Sequence, residues 1–113
     1  MNLRNKVFLI GNVGVEPEIK TFDNGELANL VVATNETYRN KNGERVDNTE
    51  WHRITVFGKG QVAIVRDYIH KGKEIALEGK LVTRSWETKD GDKRYTTEVI
   101  ANEILLLGGR KPA

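Results

Sequence analysis

Apolar and polar residues alternate with a period of two along most of this chain and change once to a helical period. Over residues 5–15, Val7, Leu9 and Val13 alternate with Lys6, Phe8 and Ile10. Both sets are largely apolar, which predicts a strand covered on both faces, with a second subunit as one candidate cover. Gly11 and Gly14 mark a bend of the kind a small barrel needs to close. Pro17 has no amide hydrogen and interrupts pairing. A short strand is expected over residues 19–22, and Asp23-Asn24-Gly25 predicts a turn. A longer strand spans residues 27–37. A polar loop over residues 38–48, with a turn at Asn42-Gly43, leads into a strand over about 49–58. Residues 61–71 change period: Val62, Val65 and Ile69 recur at helical spacing, Lys71 suits the helix end and Gly72 a left-handed cap. Strand alternation returns over residues 73–86, where Ile75, Leu77 and Leu81 share a face. A polar hairpin loop over 87–93 surrounds Asp90-Gly91, and a last strand runs from 94 to about 107. Its end, Ile104-Leu105-Leu106-Leu107, is too apolar to face water uncovered.

Five main strands with one helix between the third and fourth predict an all-β architecture, the OB-fold, a five-stranded Greek-key barrel. Its single domain is expected over residues 1–107. Residues 108–113, Gly108-Gly109-Arg110-Lys111-Pro112-Ala113, read as the start of a flexible tail.

One stretch carries more than core pattern. In Trp51-His52-Arg53-Ile54-Thr55-Val56-Phe57, alternation sends His52, Ile54 and Val56 towards the core and Trp51, Arg53, Thr55 and Phe57 the other way. Two large rings with a guanidinium between them are unusual on a face meant for water. They suit either a second protein surface or a ligand that offers flat apolar faces and negative charge, and unpaired nucleic-acid bases are such a ligand. The strand over 73–86 repeats the theme, with Lys80, Val82, Arg84 and Trp86 on its outward side.

Composition narrows the setting. A chain of 113 residues builds one core. No apolar run approaches the roughly 20 residues that span a bilayer, and the start has no signal-peptide pattern. The absence of cysteine excludes disulfides and thiolate chemistry and predicts a cytoplasmic protein. The net charge of +2 does not by itself indicate nucleic acid, so any basic surface must come from how the charges are placed. His52 and His70 are the only histidines and form no ligand cluster. His52 has core-facing parity, which suits packing or an interface. Glu16 and Glu18 have no nearby His or metal partner. Gly11-x-x-Gly14 lacks the Lys-Ser/Thr pair and helix of a phosphate loop. No cofactor, metal or catalytic residue is expected.

Asn5-Lys6-Val7 with Gly11-Asn12, Thr49-Glu50-Trp51-His52-Arg53, Phe57-Gly58-Lys59, Gly79-Lys80-Leu81, Thr83-Arg84 before Trp86, and Tyr95-Thr96-Thr97-Glu98-Val99 together resemble the bacterial single-stranded DNA-binding proteins, in order and spacing across nearly the whole chain. The resemblance implies an OB-fold that assembles as a homotetramer, a dimer of dimers, and binds single-stranded DNA without sequence preference in replication, recombination and repair, in the nucleoid. It places stacking aromatics at Trp51, Phe57 and Trp86, with Tyr38 where the family often has tryptophan. It places phosphate contacts at Lys6, Arg53, Lys59 and Arg84, and His52 at a subunit interface. Family members usually continue through a glycine- and proline-rich linker to an acidic tip that recruits replication and repair enzymes. This chain stops at Ala113 with a basic end, so such recruitment is expected only where the native protein carries the tip. Two other readings stand beside this one. One is an OB-fold RNA binder or primosome-type accessory protein. The other is a nuclease, which needs clustered carboxylates or a base beside a nucleophile and finds neither here.

Overall fold

The computed structural model describes residues 3–108. The chain folds as β1 (Val7–Val13), β2 (Glu18–Phe22), β3 (Gly25–Arg39), β4 (Arg45–Phe57), α1 (Lys59–Tyr68), β5 (Glu74–Glu87) and β6 (Lys93–Leu106). The strands hydrogen-bond in the order β1-β5-β6-β4-β3-β2. At its far end β1 also pairs with β3, through Asn12↔Ala33 and Val13↔Val32. That second pairing joins β1, β5, β6, β4 and β3 into a closed ring, with β2 flanking β3 outside it. This is the five-stranded OB barrel that the alternation predicts, with the helix between β4 and β5. All pairs are antiparallel except β4 with β6, which meet in a parallel seam of Ile54↔Val99, Thr55↔Ile100 and Val56↔Ala101.

The inward residues of each strand make the core: Val13, Ala28, Leu30, Val32, Ile54, Val56, Ile75, Leu77, Val99 and Ala101. The helix plugs it with Val62 and Val65, and Ile69 follows them in. Gly11 lets β1 turn from β5 to β3, because a Cβ there would overlap the carbonyl of Ala33. In β6, Asn102 is the extra residue of a bulge between Glu78↔Glu103 and Gly79↔Ala101, and Gln61 of α1 donates to its carbonyl.

Several expectations need correction. The helix ends at Tyr68, short of residue 71, because Ile69 turns extended (φ −107°, ψ 121°) to reach the core. Gly72 is left-handed (φ 93°) but serves the turn into β5, where its N–H donates to the Val13 carbonyl (2.7 Å). The expected loop over 38–48 is mostly strand. Pairing continues to Arg39↔Arg45, and only residues 40–44 turn. Asn40 holds that turn through its side-chain oxygen, which accepts from the N–H of Asn42 and of Glu44 (2.9 Å each). Leu81 shares the parity of Leu77 but is exposed, because the β1–β5 pairing ends at Val7↔Gly79 and Leu81 lies beyond it. Within the single chain the first strand is covered on one face, and Phe8 and Ile10 lie open on the face for which a second subunit is the candidate cover. Of the expected tail, residues 109–113 lie outside the described residues.

The β3–β4 and β5–β6 hairpins run past the barrel as arms. Their reach explains a radius of gyration of 16.6 Å, against about 13 Å for a compact domain of this size.

Candidate nucleic-acid interface

The outward face of the barrel is assembled by register. On β4, Trp51, Arg53, Thr55 and Phe57 pair with Ala33, Val31, Asn29 and Leu27 of β3. Across the parallel seam Thr55 lies beside Ile100 of β6, so Glu98 and Thr96 share this face. On β5, Val82, Arg84 and Trp86 pair with Glu98, Thr96 and Arg94. One continuous surface therefore carries Trp51 and Phe57 from one strand and Trp86 from another, with Arg53 and Arg84 among them. The three rings are 62%, 45% and 49% exposed. Trp51 and Phe57 are six residues apart, roughly 20 Å along the strand.

Trp51 is exposed yet seated. Its ring lies against Gly14, where a Cβ would overlap ring atoms. One side of the indole is thus backed by main chain.

Thr55 is an exception on this face, because it is buried. Its hydroxyl donates to Glu98 Oε2 (3.0 Å) and lies 3.4 Å from Asn29 Oδ1. The other Glu98 oxygen accepts from Arg84 Nε (2.8 Å). A largely covered carboxylate therefore ties β4 to β5 across β6 and fixes the Arg84 guanidinium by one edge, leaving its outer nitrogens for a ligand. Glu98 is one residue the sequence pattern did not single out. Its parity with Arg84 was legible, but its bond to Thr55 depends on the parallel seam.

The remaining predicted residues are dispersed. Arg53 is exposed, and Lys59 is exposed at the start of α1 beside Phe57. Lys6 sits away from the rings, paired with Glu78 (2.9 Å). Tyr38 is about half exposed and pairs with Val46. Its parity in β3 is that of Thr34, opposite to the residues beside Trp51, so it projects from the other side of the arm. His52 is half-buried on the core-facing side, with Nε2 2.9 Å from the Thr34 hydroxyl. Phe22, also missed, is exposed at the end of β2. Among the described residues no group of His, Asp and Glu is arranged to hold a metal, and no helix is long and apolar enough to cross a membrane.

Residues 4–107 match the family model described as "Single-strand binding protein family". The chain belongs to the single-strand binding protein family. Within the family, it is 46% identical over 112 residues to the single-stranded DNA-binding protein of Rhizobium meliloti (strain 1021), covering 94% of this chain and 64% of that protein. The chain thus spans just under two thirds of the length of that curated relative. Its structure is similar to one described as "Plasmodium falciparum SSB complex with ssDNA", with a TM-score of 0.85, 35% identity, and coverage of 96% of this chain and all of that one. It is also similar to a deletion mutant of the single-stranded DNA binding protein from Thermus aquaticus, with a TM-score of 0.80 and 32% identity over 94% of this chain and 51% of that one.

Proposed function

We propose that this protein binds and protects single-stranded DNA without sequence preference, serving replication, recombination and repair and doing no catalysis. The observation that carries the reading is Trp51 and Trp86 exposed on one outward face with Arg53 and Arg84. A relative of similar fold in complex with single-stranded DNA supports it. Every base has a flat face, so stacking tolerates any sequence, at about 1–3 kcal/mol per base. Trp51, Phe57 and Trp86 stack bases along the groove, while Arg53, Lys59 and Arg84 hold phosphates. Tyr38 and Lys6 act further out, where the strand passes round the arm and the barrel side.

The working particle in this reading is a homotetramer, a dimer of dimers, with His52 near a subunit interface. Phe8, Ile10 and Leu105 support it. Phe8 and Leu105 line a shallow cleft of about 560 Å³, Ile10 is exposed on the same side of β1 as Phe8, and an apolar face of that kind calls for a partner. The protein works in the cytoplasm, at the nucleoid. Recruitment of replication and repair enzymes belongs to a native chain that carries an acidic tip.

The test is tryptophan emission on addition of oligothymidine at low salt. Quenching is expected, and a Trp51→Ala/Trp86→Ala variant that retains its fold, having no tryptophan left, should lose most of the affinity by anisotropy of a labelled strand. Unchanged emission in the unaltered protein would refute the assignment, and marked preference for a matched RNA would favour an RNA-binding role.

A further inference from the structure

At the end of β4 the groove does not stop at Phe57. The β2–β3 hairpin pairs Phe22 with Gly25, Lys20 with Leu27 and Glu18 with Asn29, and Leu27 pairs in turn with Phe57. Phe22 therefore has the same parity as Phe57, one hairpin further out. It is 54% exposed, a high value for a phenyl ring with core available nearby. Gly25 faces it without a side chain, and a Cβ there would meet nothing within 4 Å. The result is an open cleft of about 580 Å³ whose walls include Phe22, Phe57 and Lys59. That volume falls within the roughly 300–1,000 Å³ of pockets that bury a small ligand.

The charges of the cleft sort its contents. Glu26 on one wall is engaged by Arg66 and by the Thr21 hydroxyl, so most of its charge is answered. Asp23 at the hairpin tip disfavours a phosphate on that side. Lys59 also lines the cleft, two residues after Phe57. A nucleotide entering here has its base directed towards the rings and its phosphate towards the ammonium.

We propose that Phe22 and Phe57 form a further base-binding cleft, with Lys59 holding the adjoining phosphate, so that the DNA track continues over the β2–β3 hairpin. This rests on the single-stranded DNA reading above.

The experiment measures oligothymidine affinity by anisotropy of a labelled strand, using Phe22→Ala, Phe22→Leu and Phe22→Tyr in the full chain. Loss of a stacked base should weaken binding about tenfold in both the Ala and Leu variants. The Tyr variant should bind as the unaltered protein does. Tryptophan quenching at saturation and the salt dependence should stay the same, since no indole and no phosphate contact is removed. Unaltered affinity in the Ala and Leu variants overturns the proposal. So does a loss confined to Ala, because Leu keeps apolar bulk without a ring. Failure of the unaltered protein to bind or quench sinks the parent reading instead, so the two failures are distinguishable.

Discussion

Trp51 can rest its ring on the main chain only because position 14 has no side chain. The indole is thereby held ready while its outer face stays open, and little freedom is left to lose when a base arrives. Gly14→Ala should push the ring off its seat. The obstacle is a side chain at the surface rather than backbone, so the melting temperature should change little. Affinity for oligothymidine should fall about tenfold, within the worth of one stacked base, with an altered tryptophan emission already in the free protein. Wild-type emission and affinity would show that the seat is irrelevant. Trp51, Trp86, Phe57 and the cations among them were legible in the sequence because each breaks an expectation: a large ring or guanidinium on the face that should meet water. The seat itself was not legible. Gly14 reads as a bend, and nothing local says that a residue 37 positions away will cover it.

The alternation of the barrel strands is a consequence of burying one face, and it predicts β1, β3, β4, β5 and β6 wherever such a face exists. It fails at the arms. Residues 38–48 have polar residues on both sides, so they read as a loop. Cross-strand pairs such as Thr37–Asp47 (2.9 Å) hold them extended. It fails again at the end of α1, where Lys71-Gly72 imitates a helix stop while the core takes Ile69 out of the helix, which ends at Tyr68, just under one turn before Lys71. The strut from Thr55 through Glu98 to Arg84 belongs to this scale, since it ties β4 to the β5–β6 hairpin across 43 residues of sequence. Two effects of Glu98→Ala oppose each other. Removing a negative charge from the proposed phosphate-binding face favours DNA, whereas releasing Arg84 and leaving buried Thr55 with only the longer bond to Asn29 disfavours it. Charge-assisted hydrogen bonds of this kind are worth about 1.5–3 kcal/mol, more than one partly screened charge at a solvent-facing groove. Affinity should therefore fall several-fold by titration calorimetry; tighter binding would mean that Glu98 acts only as a repelling charge.

For the whole molecule, a net charge of +2 makes overall attraction for DNA weak and leaves affinity to local placement. Each phosphate neutralised on a single strand contributes about −0.7 to the slope of log K against log salt. Arg53 and Lys59 have no ion pair among the described residues, whereas Lys6 and Arg84 already have carboxylate partners. The slope per protomer should lie between about −1.4 for two contacts and about −2.8 for four. A slope near zero would remove the phosphate contacts from the account. In the tetramer proposed above, the β1–β5–β6 face sets assembly. Phe8→Asp puts a charge into its exposed apolar centre and should reduce the particle mass in light scattering from that of a tetramer, leaving a folded smaller species. An unchanged mass would place the interface elsewhere.

The parallel seam between β4 and β6 has three residue pairs, against thirteen between β5 and β6. Only the β1–β3 closure, with two pairs, is shorter, and the seam includes Thr55 beside Ile100, two residues from Glu98. If the barrel breathes, this seam is one of the two short joints where its staves part, and amide protons on either lip would swap with solvent before those of the long β5–β6 ladder. A polynucleotide laid across Trp51 and Trp86 spans both lips at once. Its arrival would act as a hoop on the cask, so that holding the ligand and holding the fold together become one event.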